Sequence, residues 1–387
     1  LFFNTTNKNK KYILNIYIIY KQYIQTYTHT MNLLSNNTNI IIAVNDPRSL
    51  GEGAVYCPIT NKLLWIDITR GKIFIYDDQH TNENIHIDLR QTIGTVVPYT
   101  SNQLVAAVAK GICIVDIATK RIIHGFKNGN PEGHLINNRW NDGKCDPQGR
   151  LWAGTMDINC NGPVGGLYSF EFIEGDDNND NNNNNNIICK KHLSNITVSN
   201  GIVWTKDGKT MYYIDTPTMN VDAFDFDGTN GTISNRRIVY TFPSNNDDDG
   251  NDQQQQQQQS SSTTTTTTTT VKFMGYPDGM TIDDQDMLWI AMWDGWCVIR
   301  LDPIKGNIIQ KYHIPSQRVT SCAFGGKNLK QLYVTTANCG LRLDVGMDKW
   351  MKEQPDAGKL FVLDFDNDDG NNNIKGVKAS RFRYGLQ

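Results

Sequence analysis

Six times along the chain, a strand of alternating apolar and aromatic residues is followed by a polar turn and a second strand that ends at or near an aspartate. The instances are LLWIDITRGKIFIYD (63–77), LVAAVAKGICIVDI (104–117), LWAGTM…GGLYSFE (151–171), MYYIDTPTMNVDAFDFD (211–227), LWIAMWDGWCVIRLD (288–302) and LYVTTA…GKLFVLDF (332–365). Their first residues advance by 41, 47, 60, 77 and 44 positions, and the two longest steps are those interrupted by low-complexity tracts. A period of about 40–50 residues built from paired strands, with no helical 3.6-residue pattern, is the signature of a propeller. Turns such as DPQGR (146–150) and TKDGK (205–209) supply the hairpin geometry that joins blade strands. The expected fold is therefore all-β: a six-bladed β-propeller over residues 40–387 with disordered low-complexity insertions. The strand IIIAV (40–44) precedes the first repeat and is expected to complete the last blade, so that the ring closes without an open sheet edge.

The insertions are compositional. Residues 176–186 are almost pure Asn and Asp, residues 245–270 run through Asp, Gln, Ser and Thr tracts, and 366–373 is a shorter Asn/Asp stretch. Such segments cannot bury enough apolar area to offset chain entropy and are expected to be disordered loops. Residues 1–30, which begin at Leu1 and are rich in Asn, Lys, Ile and Tyr, show neither a compact apolar core with a small-residue cleavage site nor a membrane-length apolar run. They are expected to be a leader or a disordered extension, with Met31 as the start of the protein proper.

Charge and cysteine usage narrow the function classes. A net charge of −3 with both signs interspersed makes no electrostatic case for nucleic acid or an anionic membrane. The eight cysteines are scattered, with no CxxC or zinc-finger spacing, which fits reduced thiols in a cytoplasmic protein. The expected state is a monomer acting on a small molecule.

Polar residues just ahead of each repeat face the channel of a propeller. Four stretches stand out there: SLGEGAVY (49–56), NRWNDGKCDPQGRLWAGT (138–155), VSNGIVWTKDGK (198–209) and YPDGMTIDDQDMLWIA (276–291). Each places an oxygen-bearing side chain beside or near glycine: Glu52, Asn141 with Asp142, Asn200, and Asp278. Any one Asn-Gly or Asp-Gly is more often a turn than a ligand. At one phase of several blades, however, pseudo-symmetry directs them to one axis. Two carboxylates with amide oxygens form a hard donor set that suits calcium, magnesium or manganese, with zinc a weaker fit. Asp67, Asp146, Asp207 and Asp283 read instead as turn or strand-end residues, and Trp65, Trp152, Trp204 and Trp289 as blade packing. There is no GxSxG elbow and no P-loop, so hydrolysis by this chain is expected to be metal-assisted.

The pieces LGEGAVY, NRWNDGKCDPQGRLWAGTM, SNGIVWTKDGKTMYYIDT, YPDGMTIDDQDMLWIAMWDGWCVIRLDP and TSCAFGGKNLKQLYVTTA, taken together, resemble the regucalcin/gluconolactonase family, and its eukaryotic branch in particular. The resemblance implies a six-bladed propeller with one divalent metal ion (Ca, Mg, Mn or Zn) that hydrolyses sugar lactones such as gluconolactone. It also implies Glu52, Asn200 and Asp278 as metal ligands, and Arg139 and Asn141 as the substrate-holding pair. In the family an acidic residue shortly after the GTM segment contacts substrate. Here that stretch reads MDINCNGPVGG, with Asn159 as the nearest ungapped match and Asp157 nearby, which opens the question of sugar preference. Asp278 is the expected general base. The rival readings are a calcium-binding regulator without catalysis, a propeller hydrolase of esters or organophosphates, and a pure interaction propeller. The Arg139–Asn141 pair favours the lactonase over the first and third of these.

Overall fold

The computed structural model describes residues 39–77, 84–173, 186–243, 274–339, 352–366 and 373–383. Residues 1–30 and the tract 245–270 lie outside these residues, as do 176–185 and 367–372, so the expectations placed on them fall outside the described residues. Asn186 already belongs to a strand, Asn186–Ile196.

Among the described residues twenty-four strands form six four-stranded sheets, each in consecutive order but one. The exception is the last sheet, where Asn39–Val44 pairs with Leu360–Asp364 and so joins the start of the propeller to its end. This is the closure expected for IIIAV. Each sequence repeat supplies the second and third strands of a blade. The innermost strands lie just ahead of the repeats: Gly51–Tyr56, Ile93–Pro98, Asn138–Cys145, Ser199–Trp204, Tyr276–Ile282 and Val319–Gly325, in blades 1 to 6.

Blades pack face to face, which is why second strands are apolar on both faces rather than alternating. Trp65, Trp152 and Trp289 are fully buried between blades, and each stacks on an aromatic ring or a histidine. Two of these tryptophans are fastened by the turn aspartate six positions earlier. Asp146 accepts from Trp152 Nε1 at 3.1 Å and Asp283 from Trp289 Nε1 at 3.0 Å, and each also holds a buried arginine, Arg150 or Arg300. The expected structural roles of these residues are what the fold displays.

Every innermost strand is irregular near its start. The ladder to the second strand slips between Glu52 and Val55, Ile93 and Thr95, Trp140 and Gly143, Ser199 and Ile202, Pro277 and Met280, and Val319 and Ser321. A bulge bends the strand and re-aims a side chain that the pleat would otherwise turn into the blade. The side chains singled out from sequence sit at or inside these bulges.

At the opposite end of the channel, residues 373–383 run across the inner strands. Their backbone bonds to Leu329, Ile282, Pro98 and Gly149, and Phe382 is buried against Tyr99 and Phe172. Between this strap and the strand ends lies a cavity of about 220 Å³, lined by residues that include Val55, Lys144, Val203 and Val377. Among the described residues no helix is long and apolar enough to cross a membrane.

Candidate metal centre and active site

Four of the six bulges carry the site. Blade 1 contributes Glu52, blade 3 Asn141 and Asp142, blade 4 Asn200 and blade 5 Asp278; all are buried. Glycine lets these strands approach one another. A Cβ on Gly201 would stand 2.9 Å from the Asp278 carbonyl oxygen, and one on Gly279 would stand 2.8 Å from that of Thr320. A side chain at either position would push blade 4, 5 or 6 away from the axis.

A chain of hydrogen bonds fixes the amide orientations. Arg139 Nη1 donates to Asn141 Oδ1 at 2.6 Å. Asn141 Nδ2 donates to the Ser199 carbonyl at 2.7 Å and to Asn200 Oδ1 at 3.0 Å. Asn200 Nδ2 donates to Thr216 Oγ1 at 2.7 Å, and Thr216 Oγ1 donates to the Pro277 carbonyl at 2.7 Å. A hydroxyl has one proton to give. Because Thr216 spends it on Pro277, it can only accept from Asn200. The Asn200 amide is thereby oriented, with one lone pair of Oδ1 taken by Asn141 and the other open.

Electrostatics single out the same place. Burial raises the pKa of Glu52 to about 8, with the Asp142 carboxylate adding to the rise and Arg139 opposing it. Asp278 is pushed well above the usual carboxylate range by burial, then by Glu52 and Asp142. Asp142 is raised by burial and eased by Lys144. Burial lowers the Arg139 and Lys144 pKa values, against the pull of the neighbouring acids. Three buried carboxylates thus share one neighbourhood with two cations. This is a concentration of negative charge that the protein's own groups leave under-compensated.

That observation tests the fit of a divalent cation. Glu52, Asp278 and the open lone pair of Asn200 form an oxygen donor set of the kind hard cations take, and a bound cation would favour the ionised carboxylates that burial disfavours. Among the described residues there is no group of three or more His, Cys, Asp or Glu placed to hold a metal. The set is two acids and an amide, which leaves coordination positions to water or substrate.

The remaining expected residues divide. Arg139 and Asn141 are within the network, but both amide protons of Asn141 are engaged, so it links Arg139 to Asn200 instead of standing free. Asn159 is exposed on the loop after Leu151–Asp157, and its backbone N–H donates to Asp157 Oδ1 at 2.7 Å. Asp157 also accepts from Asn161 N, and so it fastens that loop. Three residues escaped the sequence reading. Thr216 ends the SNGIVWTKDGKTMYYIDT piece and opens a 3-10 turn, and no spacing there marks it as a partner of Asn200. Lys144, whose Nζ donates to the Met280 carbonyl at 2.7 Å, sits beneath Asp142 in a strand that reads as turn-like NDGK. Arg318 is buried at the head of blade 6, ahead of the TSCAFGGK piece.

The family described as "SMP-30/Gluconolactonase/LRE-like region" matches residues 50–338, an interval that contains every residue of this network. The chain belongs to this family. It is 32% identical over 318 residues to regucalcin of Homo sapiens, covering 81% of this chain and 90% of that protein. Among solved structures it is similar to a luciferin-regenerating enzyme (TM-score 0.69, 27% identity, covering 90% of this chain and 100% of that one). It shares its fold with a calcium-binding protein, regucalcin, from Agrobacterium tumefaciens (TM-score 0.69, 22% identity, covering 88% and 96%). The regucalcin/gluconolactonase resemblance read from the motifs is thereby established across most of the chain.

Proposed function

We propose that this protein hydrolyses sugar lactones to aldonic acids with the aid of one divalent cation. The observation that carries the reading is the meeting of Glu52, Asp278 and an oriented Asn200 amide beside the half-buried Arg139 at one end of the channel. Glu52, Asn200 and Asp278 would hold the cation, and its chemistry would be to polarise a carbonyl and acidify a water. Calcium is supported by the donor set and by a calcium-binding protein of the same fold.

The chain's own groups then have distinct tasks. Asp278 holds a carboxylate whose proton affinity is raised by its surroundings, and with a cation favouring its ionised form it would take a proton from an attacking water. Arg139 supplies fixed N–H donors for the oxyanion that forms as the lactone carbonyl becomes tetrahedral. Asn141 positions both Arg139 and Asn200 by the bonds described above. Asn159, on the exposed loop, would meet the sugar hydroxyls. Collapse of the tetrahedral centre breaks the ring C–O bond, and the proton held by Asp278 passes to the leaving ring oxygen. The test is hydrolysis of a panel of five- and six-carbon aldonolactones after EDTA treatment, with calcium, magnesium, manganese or zinc added back. Turnover that vanishes with EDTA and returns with a cation supports the reading. No cation-dependent turnover on any lactone overturns it in favour of a calcium-binding regulator.

A further inference from the structure

At the mouth where the site lies, one residue of each second strand closes the ladder with the innermost strand. These residues are Asp67, Val108, Asp157, Asp215, Trp293 and Thr336. Five of the six are buried, and the three aspartates fasten neighbouring backbone N–H groups. Trp293 breaks the pattern: it is half-buried, and among the described residues it carries no fastening bond and belongs to none of the core clusters.

It is also unlike the other described tryptophans. Trp65, Trp140, Trp152, Trp204, Trp289 and Trp296 each pack against another ring. Among the described residues, Trp293 has the Arg318 guanidinium, 5.0 Å from its ring centre, as its one ring contact. Arg318 is itself buried and anchored, to Asp294 at 3.3 Å and to the Cys339 carbonyl. The turn that follows holds Asp294 and Trp296 at φ 58° and 57°, a conformation that a bulky side chain adopts only at a cost. Trp293 is therefore a flat apolar surface, rigidly backed and incompletely covered. Its partner across the ladder is Tyr276, two residues from Asp278.

We propose that Trp293 is a specificity-determining platform on which the C–H face of a six-membered, hydroxylated ring packs, while the polar edge of that ring meets Arg139. This rests on the lactonase reading for its substrate class. An indole backed by a cation presents a broad, low-entropy contact surface to a ring that is apolar on its faces and polar at its rim. The platform discriminates ring shape and takes no part in bond breaking.

The experiment compares wild type, Trp293→Leu and Trp293→Phe, each loaded with calcium. Steady-state kinetics on D-glucono-1,5-lactone are measured alongside calorimetric binding of 1,5-anhydro-D-glucitol, a ring of the same shape that cannot be hydrolysed. The expected result is a rise in KM of about three- to tenfold in Trp293→Leu with kcat and melting temperature unchanged, and partial recovery in Trp293→Phe. Binding of the anhydrohexitol should weaken by the same factor. Unchanged KM and unchanged binding in Trp293→Leu overturn the platform. If wild type shows no turnover but binds the anhydrohexitol through Trp293, the platform stands and the lactonase reading falls. If wild type neither turns over nor binds, both fall.

Discussion

Blades 5 and 6 stand side by side with the same bulge at the head of the innermost strand, yet they use it differently. Blade 5 places Asp278 there, buried among other acids. Blade 6 places Thr320, whose Oγ1 donates to the Gly51 carbonyl and lies 2.9 Å from Thr335 Oγ1. One position concentrates charge that the fold must tolerate, while the other satisfies backbone and ties blade 6 to blade 1. The bulge is a property of the architecture, and the chemistry comes from the side chain each blade sets on it. Blade 2 makes the same point with Gly94, where a Cβ would meet the Trp140 backbone at 2.3 Å.

The contrast can be broken by exchanging stability for activity. Asp278→Ala should lower turnover by about a thousandfold or more, because it removes both a ligand and the proton acceptor. Its metal-free melting temperature should hold or rise, since a buried carboxyl that the fold disfavours in its ionised form is gone. Thr320→Ala should do the reverse, costing about 1–3 kcal/mol by leaving the Gly51 carbonyl unsatisfied while turnover stays near wild type. Kinetics and thermal melts on the two variants check both halves. Equal losses of activity and stability in both would erase the distinction drawn here.

A smaller effect sharpens it. Thr216→Val removes the acceptor that orients the Asn200 amide without touching any proposed ligand. Outer partners of ligands typically affect metal affinity by about 10–100-fold. Calcium affinity should therefore fall within that range, while the fold and the Asp278 environment are retained. An unchanged affinity would show that Asn200 needs no such support.

Much of the architecture was legible because a propeller writes its period into the strand pairs. The LW and YYID strands, the closing IIIAV and the aspartates before tryptophans all follow from local pattern. The candidate site was legible for the same reason: Glu52, Asn200 and Asp278 recur at one phase. The rest depends on contacts between residues far apart in sequence. Thr216 matters only because a 3-10 turn in blade 4 carries it to Pro277 of blade 5. Asn141 is expected from the resemblance to hold substrate with Arg139, but its amide protons go to Ser199 and Asn200 of the next blade. Trp293 has no motif of its own within LWIAMWDG, and only its exposure and the lack of a ring partner among the described residues set it apart.

The central claim is that buried acids at these bulges form a site for one divalent cation, and titration of calcium into EDTA-treated protein tests it most directly. Glu52 keeps its proton in the metal-free fold up to about pH 8, so its contribution to metal-free stability is full below its ordinary value of 4.5 and is lost as pH rises towards 8. Over the same window the cation must displace fewer protons, so binding should tighten and its thermal stabilisation should grow between pH 6 and pH 8. The account predicts one equivalent bound per chain, more tightly at the higher pH, and none bound by the double variant Glu52→Gln, Asp278→Asn. Binding that survives in the double variant, or that does not change with pH, would contradict it.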